Sequence, residues 1–145
     1  MHHPCPVLLI VALCVVGICN AGAAEPPNTC GLAAPPKDAL RLQQPPAPLM
    51  FQYPDPSRVP AAYTGCLNTW LENGQKVMEA RFDKGRIVHY RMGRDDVACD
   101  YRDGRVIREV VSDEMRRQVA QLPPEARADM RFCPSSEQLL PARSK

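Results

Sequence analysis

Beyond residue 23 the chain has one histidine, His89, and no serine in a G-x-S-x-G setting. Imidazole-based acid–base or triad chemistry would therefore rest on His89 alone, with no recognisable nucleophile beside it. Closely spaced cysteines are missing too: Cys30, Cys66, Cys99 and Cys133 are each at least 33 positions from the next, whereas zinc ligands come in pairs about two to four residues apart. Asp95-Asp96 lies in a glycine-containing loop but lacks the further oxygen ligands of a calcium motif. Excess charge of one sign is absent, the formal net charge being +2, and aromatic residues are only 6% of the chain. A nucleic-acid surface needs a basic excess interleaved with aromatics, so no nucleic-acid partner is expected. No long apolar run follows Cys19, so no retained membrane span is expected. These gaps predict a protein without cofactor, metal or assignable catalytic residue, and not an enzyme.

What is present begins with an apolar run from Val7 to Cys19 followed by Ala21-Gly22-Ala23. This pattern predicts a secretory signal peptide over residues 1–23, although its first residues offer His2 and His3 in place of Lys or Arg. Ile18 before Cys19 and Leu13 before Cys14 are larger than the small residue that precedes a lipidated cysteine, which disfavours a lipoprotein. Removing the segment takes away Cys5, Cys14 and Cys19 and leaves the four named above. An even set in an exported chain predicts two disulfides in a periplasmic or extracellular protein. Three pairings are open. The expected one joins Cys66 to Cys99 within the central region and Cys30 to Cys133 across its ends, each bridge stabilising by roughly 3–5 kcal/mol on the chain-entropy model.

Residues 24–62 hold ten of the sixteen prolines, which fix φ and remove donors. They read as a polyproline-like linker or as a strap laid over the domain; Leu40, Leu42, Leu49, Met50, Phe51 and Tyr53 favour contact, and Cys30 would pin its start. From 63 to 133 the pattern becomes regular. Segments with period-two alternation are punctuated by Asn73-Gly74, Lys84-Gly85 and Asp103-Gly104, pairs suited to tight hairpin turns, Asn73-Gly74 being of type I′ composition. Strands are expected over 66–72, 76–82, 86–92, 97–102 and 105–111. Met78, Ala80 and Phe82 then face the core, as do Val88, Tyr90 and Met92, and Val97, Cys99 and Tyr101, while Ile87, His89 and Arg91 face outward. Ser112 is placed to cap a helix over 113–122 whose Met115, Val119 and Leu122 form one apolar stripe. Pro124 opens a second short helix, and 134–145 reads as a flexible tail. The fold class is thus α+β: a small antiparallel β-meander of about five strands followed by one or two C-terminal helices, stapled by disulfides.

The stretch Trp70-Leu71-Glu72-Asn73-Gly74-Gln75, continuing through Phe82-Asp83-Lys84-Gly85-Arg86 and Tyr101-Arg102-Asp103-Gly104-Arg105, resembles the MORN-like repeats of bacterial antitoxin-type proteins over residues 66–105. The resemblance implies a hairpin-built surface suited to protein contacts and implies no activity.

The candidate contact surface is the outward face, where Arg81, His89, Arg91 and Arg102, with Arg108 beside them, form a basic stripe interspersed with Glu79, Asp100 and Glu109. Export, a rigid stapled sheet and no legible reaction centre together predict a small protein-binding module. An immunity protein or inhibitor of an envelope-active hydrolase fits, and the Ala, Arg and Pro richness suits a bacterium. Two other expectations stay open: a structural accessory subunit of an envelope or secretion complex, and an envelope enzyme using carboxylates that the sequence does not single out.

Overall fold

The computed structural model describes residues 29–140; the expected signal peptide and residues 141–145 lie outside them. Seven strands follow one another in space as in sequence, every neighbouring pair antiparallel: β1 (Leu40–Leu42), β2 (Met50–Tyr53), β3 (Gly65–Leu71), β4 (Lys76–Asp83), β5 (Arg86–Met92), β6 (Val97–Arg102) and β7 (Arg105–Val111). Three short helices follow, α1 (Asp113–Ala120), α2 (Pro124–Ala128) and α3 (Ser136–Leu139). The fold is mostly β. The expected five strands correspond to β3–β7, and the two additional strands come from the proline-rich segment. Prolines flank β1 and β2 without entering them, so Leu40–Leu42 and Met50–Tyr53 keep the donors that pairing needs.

Two turns take the conformation their residues favour. Lys84 and Gly85, and Asp103 and Gly104, all have positive φ, as a two-residue type I′ turn requires. The β3–β4 turn differs. Only Gly74 is in the left-handed region there, the loop runs over four residues, and the Asn73 carboxamide accepts from Gln75 N at 3.0 Å. Glycine at 85 also answers a close approach: its N–H donates to Tyr63 O at 2.7 Å, and a Cβ there would lie 2.0 Å from Ala61 O.

The inner face carries the core. Leu67, Ala80, Phe82, Ile87, Tyr90, Val97, Cys99 and Tyr101 are buried there with Tyr63, and Met115, Phe132, Cys133, Leu139 and Leu140 pack against them. Ile87 corrects the expected alternation of β5. Arg81 pairs with His89 but Phe82 pairs with Ile87, so Val88 is an extra residue at a bulge, and Ile87 and Tyr90, three apart, both turn inward. The helical stripe is also corrected. α1 starts where expected, Ser112 Oγ accepting from Met115 N at 3.1 Å, but stops at Ala120, before Leu122 can reach the sheet; Met115 packs on the core and Leu122 stays exposed. Residues 134–140, expected within a flexible tail, are held. Tyr101 donates to Pro134 O at 2.8 Å, Ile87 N donates to Ser136 Oγ at 2.9 Å, and Ser135 closes a capping box with Gln138.

The disulfides are Cys30–Cys66 and Cys99–Cys133, with Cα separations of 4.8 and 5.8 Å, which overturns the expected Cys66–Cys99 and Cys30–Cys133 pairing. The reason is geometric. Cys66 aligns with Arg81 on the outer face of β3, whereas Cys99 aligns with Tyr90 on the inner face of β6, with β4 and β5 between them. At about 4.8 Å per strand, the two lie too far apart for a bridge. Each disulfide instead clips a flanking segment onto one face of the sheet.

Candidate functional site

The N-terminal clip closes part of the outer face. Cys66 N donates to Thr29 Oγ1 at 2.7 Å, Thr29 Oγ1 and the Tyr63 hydroxyl lie 2.9 Å apart, and that hydroxyl donates to Cys66 O at 3.1 Å. Asn68 Nδ2 donates to Thr29 O at 2.8 Å. This ring of bonds seats the chain at Thr29 and Cys30 against β3, and Cys66, Asn68 and Trp70 are buried although they point away from the core. Gly65 serves the same ring, because a Cβ there would lie 2.6 Å from the Tyr63 hydroxyl. The outer face is left open over β4–β7.

Register places the open face in rows. Arg81 stands opposite His89, His89 opposite Asp100, and Asp100 opposite Arg108, so one row crosses four strands. Glu79, Arg91, Ala98 and Val110 form the next row. Arg102 and Arg105 face one another at the β6–β7 turn. Asp100 is the hub of the first row. Its carboxylate accepts from His89 Nδ1 at 2.7 Å and lies 3.7 Å from Arg108 Nη1. With Nδ1 donating, a neutral His89 leaves Nε2 as an acceptor. Both side chains are about one-third exposed, so this pair contributes at most about 1 kcal/mol.

The expected basic stripe therefore divides. Arg91 is compensated: it aligns with Glu79 and its guanidinium contacts Asp95. Lys76 likewise donates to Glu79 at 2.8 Å. Together with Arg94 these groups line an open cleft of about 420 Å³ beside the loop between β5 and β6. Arg81 and Arg102 are exposed and have no ion pair among the described residues, and Arg105 shares that condition. Sequence reasoning missed Arg105. The signal was present in Asp103-Gly104, since a two-residue turn sets its flanking residues, Arg102 and Arg105, directly opposite each other. Like charges so placed repel.

The described serines are engaged away from His89. Ser57 bonds to Asp55, Ser112 and Ser135 cap helices, and Ser136 accepts from Ile87. Asp96 accepts from the Ser112 hydroxyl at 3.1 Å, tying the Asp95-Asp96 loop to the start of α1. Among the described residues, no three His, Cys, Asp or Glu side chains gather as a metal site, and no helix is long and apolar enough to cross a membrane. Two disulfides fit an oxidising, exported setting. Compared with protein-family models, curated proteins and solved structures, the chain matches none.

Proposed function

We propose that this is a small exported protein-binding module that acts by occluding its partner, in the manner of an immunity protein or an inhibitor of an envelope-active hydrolase. One observation carries the reading: Arg81, Arg102 and Arg105, without ion-pair partners among the described residues, stand on the open face of a sheet to which disulfides clip one segment on each side. A backbone already fixed loses little further freedom on association, and arginine binds carboxylates through two parallel hydrogen bonds. The test is capture from envelope and secreted extracts with the oxidised protein, followed by assay of any captured hydrolase. One stoichiometric partner whose turnover falls on adding the protein supports the reading. Recovery of several envelope components without inhibition would favour an accessory subunit instead, and specific capture that persists unchanged in Arg81→Glu/Arg102→Glu would remove these arginines from the account.

A further inference from the structure

The reading above leaves open which part of the face makes contact and what it recognises. The corner formed by β6 and β7 is distinct from the rest. Arg102 and Arg105 oppose one another across the turn, and Arg108 lies one step along the same face, with Asp100 the carboxylate aligned to it. Apolar surface adjoins these charges. Ile107 is 57% exposed and Val110, aligned with Ala98 on the open face, 42%, whereas Val106 is 44% exposed but pairs with inward-facing Tyr101 and so belongs to the other face. Arg108 pairs with Asp100 while Val106 pairs with Tyr101, so Ile107 is the extra residue of a bulge.

That bulge bears on the occupant. It breaks the even spacing of unpaired N–H and C=O groups along β7, and the flanking arginines add charge, two devices that block strand addition at a sheet edge. A second copy would also bring Arg102, Arg105 and Arg108 against their own counterparts, with Asp100 and the turn residue Asp103 the carboxylates on that side and Glu109 aligned with Cys99 on the inner face. Side-chain recognition of an oppositely charged surface is what remains. Resting on the protein-binding reading, we infer that the β6–β7 corner is the docking site for an acidic protein segment with an aliphatic side chain among its carboxylates. The carboxylates pair with Arg102, Arg105 and Arg108, and the aliphatic group covers Ile107 and Val110. An apolar centre ringed by charge-assisted hydrogen bonds is the arrangement that concentrates binding energy in a few residues.

The test uses the oxidised full-length protein and three synthetic peptides: Glu-Asp-Leu repeats, the same repeats with lysine for each acid, and an all-glutamate chain of equal length. Heparin and phosphatidylglycerol vesicles are the non-protein polyanions. Titration is followed by fluorescence anisotropy and by backbone amide shifts. The expected result is that the acidic leucine peptide binds most tightly and moves amides of β6 and β7. Arg102→Glu/Arg105→Glu should weaken it by about tenfold or more, and Ile107→Thr by several-fold. Equal binding of the all-glutamate peptide, tighter binding of heparin or vesicles, shifts confined to other strands, or no peptide binding would each overturn the inference. The broader reading is separable. A hydrolase captured equally by the wild type and by Arg102→Glu/Arg105→Glu would leave the protein-binding function standing and move its site elsewhere.

Discussion

β3 and β7 are both seven residues long and carry similar amounts of apolar side chain, yet five of the seven residues of β3 are buried and six of the seven of β7 are exposed. The difference comes from neighbours. β3 is paired on both edges, has the core on one face, and has Thr29 and Cys30 clipped to the other. Among the described residues, β7 pairs with β6 alone and no segment covers its outer face. One strand therefore serves as the keel of the fold, while the other presents its side chains outward. Stability and recognition should accordingly respond to different residues.

The largest break in that comparison is at Trp70. Its side chain is fully buried on the outer side of β3, and Trp70→Ala should cost about 3–5 kcal/mol, read as a fall in the urea midpoint. Next comes the clip itself. Replacing Cys30 and Cys66 together with alanine reopens a separation of 36 residues, which should cost about 3–4 kcal/mol on the chain-entropy model. It should also raise hydrogen exchange at the amides of β3 before those of β7, because only β3 loses a cover. Uniform acceleration across both strands would show that the clip acts on global stability alone.

Much of this contrast was legible in the sequence, and the remainder was not for identifiable reasons. Alternation locates β3–β7. It does not locate β1 and β2, since proline density masks short runs such as Met50–Tyr53 whose donors are intact. The bulges at Val88 and Ile107 shift the phase of a period-two pattern without leaving a mark in composition, so Ile87 was placed outward when it is buried. The disulfide pairing was within reach. Period-two alternation sets Cys66 on the face of Asn68 and Cys99 on that of Tyr101, and matching the inner face of each strand is enough to exclude a bridge between them. For the candidate site, Arg81, His89 and Asp100 align as expected, whereas the neutralisation of Arg91 by Asp95 depends on a loop with positive φ at Asp95 that period-two reasoning does not reach.

A medium-sized effect should appear at alkaline pH. Burial raises the phenol pKa of Tyr63 and Tyr90, and pushes that of Tyr101 up to about 12, with Tyr90 and Glu109 adding to it. A phenol with a raised pKa in the folded state binds its proton more tightly there than when unfolded. Its stabilisation is therefore complete below pH 10 and is lost as pH rises from about 10 towards 12. Denaturant titrations of the oxidised protein should show a loss of order 2 kcal/mol attributable to Tyr101 over that window. Tyr101→Phe should flatten the slope while lowering stability at neutral pH, because the bond to Pro134 O goes with the hydroxyl. An unchanged slope in the variant would assign the alkaline loss to the other phenols.

β3 also contains a flaw that sharpens the comparison in the opposite sense. Thr69 Oγ1 is buried and has no hydrogen-bond partner among the described residues, as do Asn68 Oδ1 and Trp70 Nε1. An unsatisfied buried hydroxyl is destabilising, and replacing it with a methyl group of similar shape removes that cost. Thr69→Val should therefore stabilise the protein by up to about 1 kcal/mol, seen as a higher thermal midpoint. A loss of stability would show that the hydroxyl is bonded in solution.

The smallest expected change is at the centre of the exposed strand. Ile107 is 57% exposed at the bulge, and Ile107→Thr keeps the β-branched shape that a strand favours, so the urea midpoint should move by less than the equivalent of about 0.5 kcal/mol. The same substitution is expected to weaken the acidic leucine peptide several-fold. Near-neutral stability joined to lost binding is the signature of a residue kept apolar for contact. If stability fell as far as it does for a buried aliphatic residue, Ile107 would have to be covered in solution, and β7 would then resemble β3 more closely than its exposure indicates.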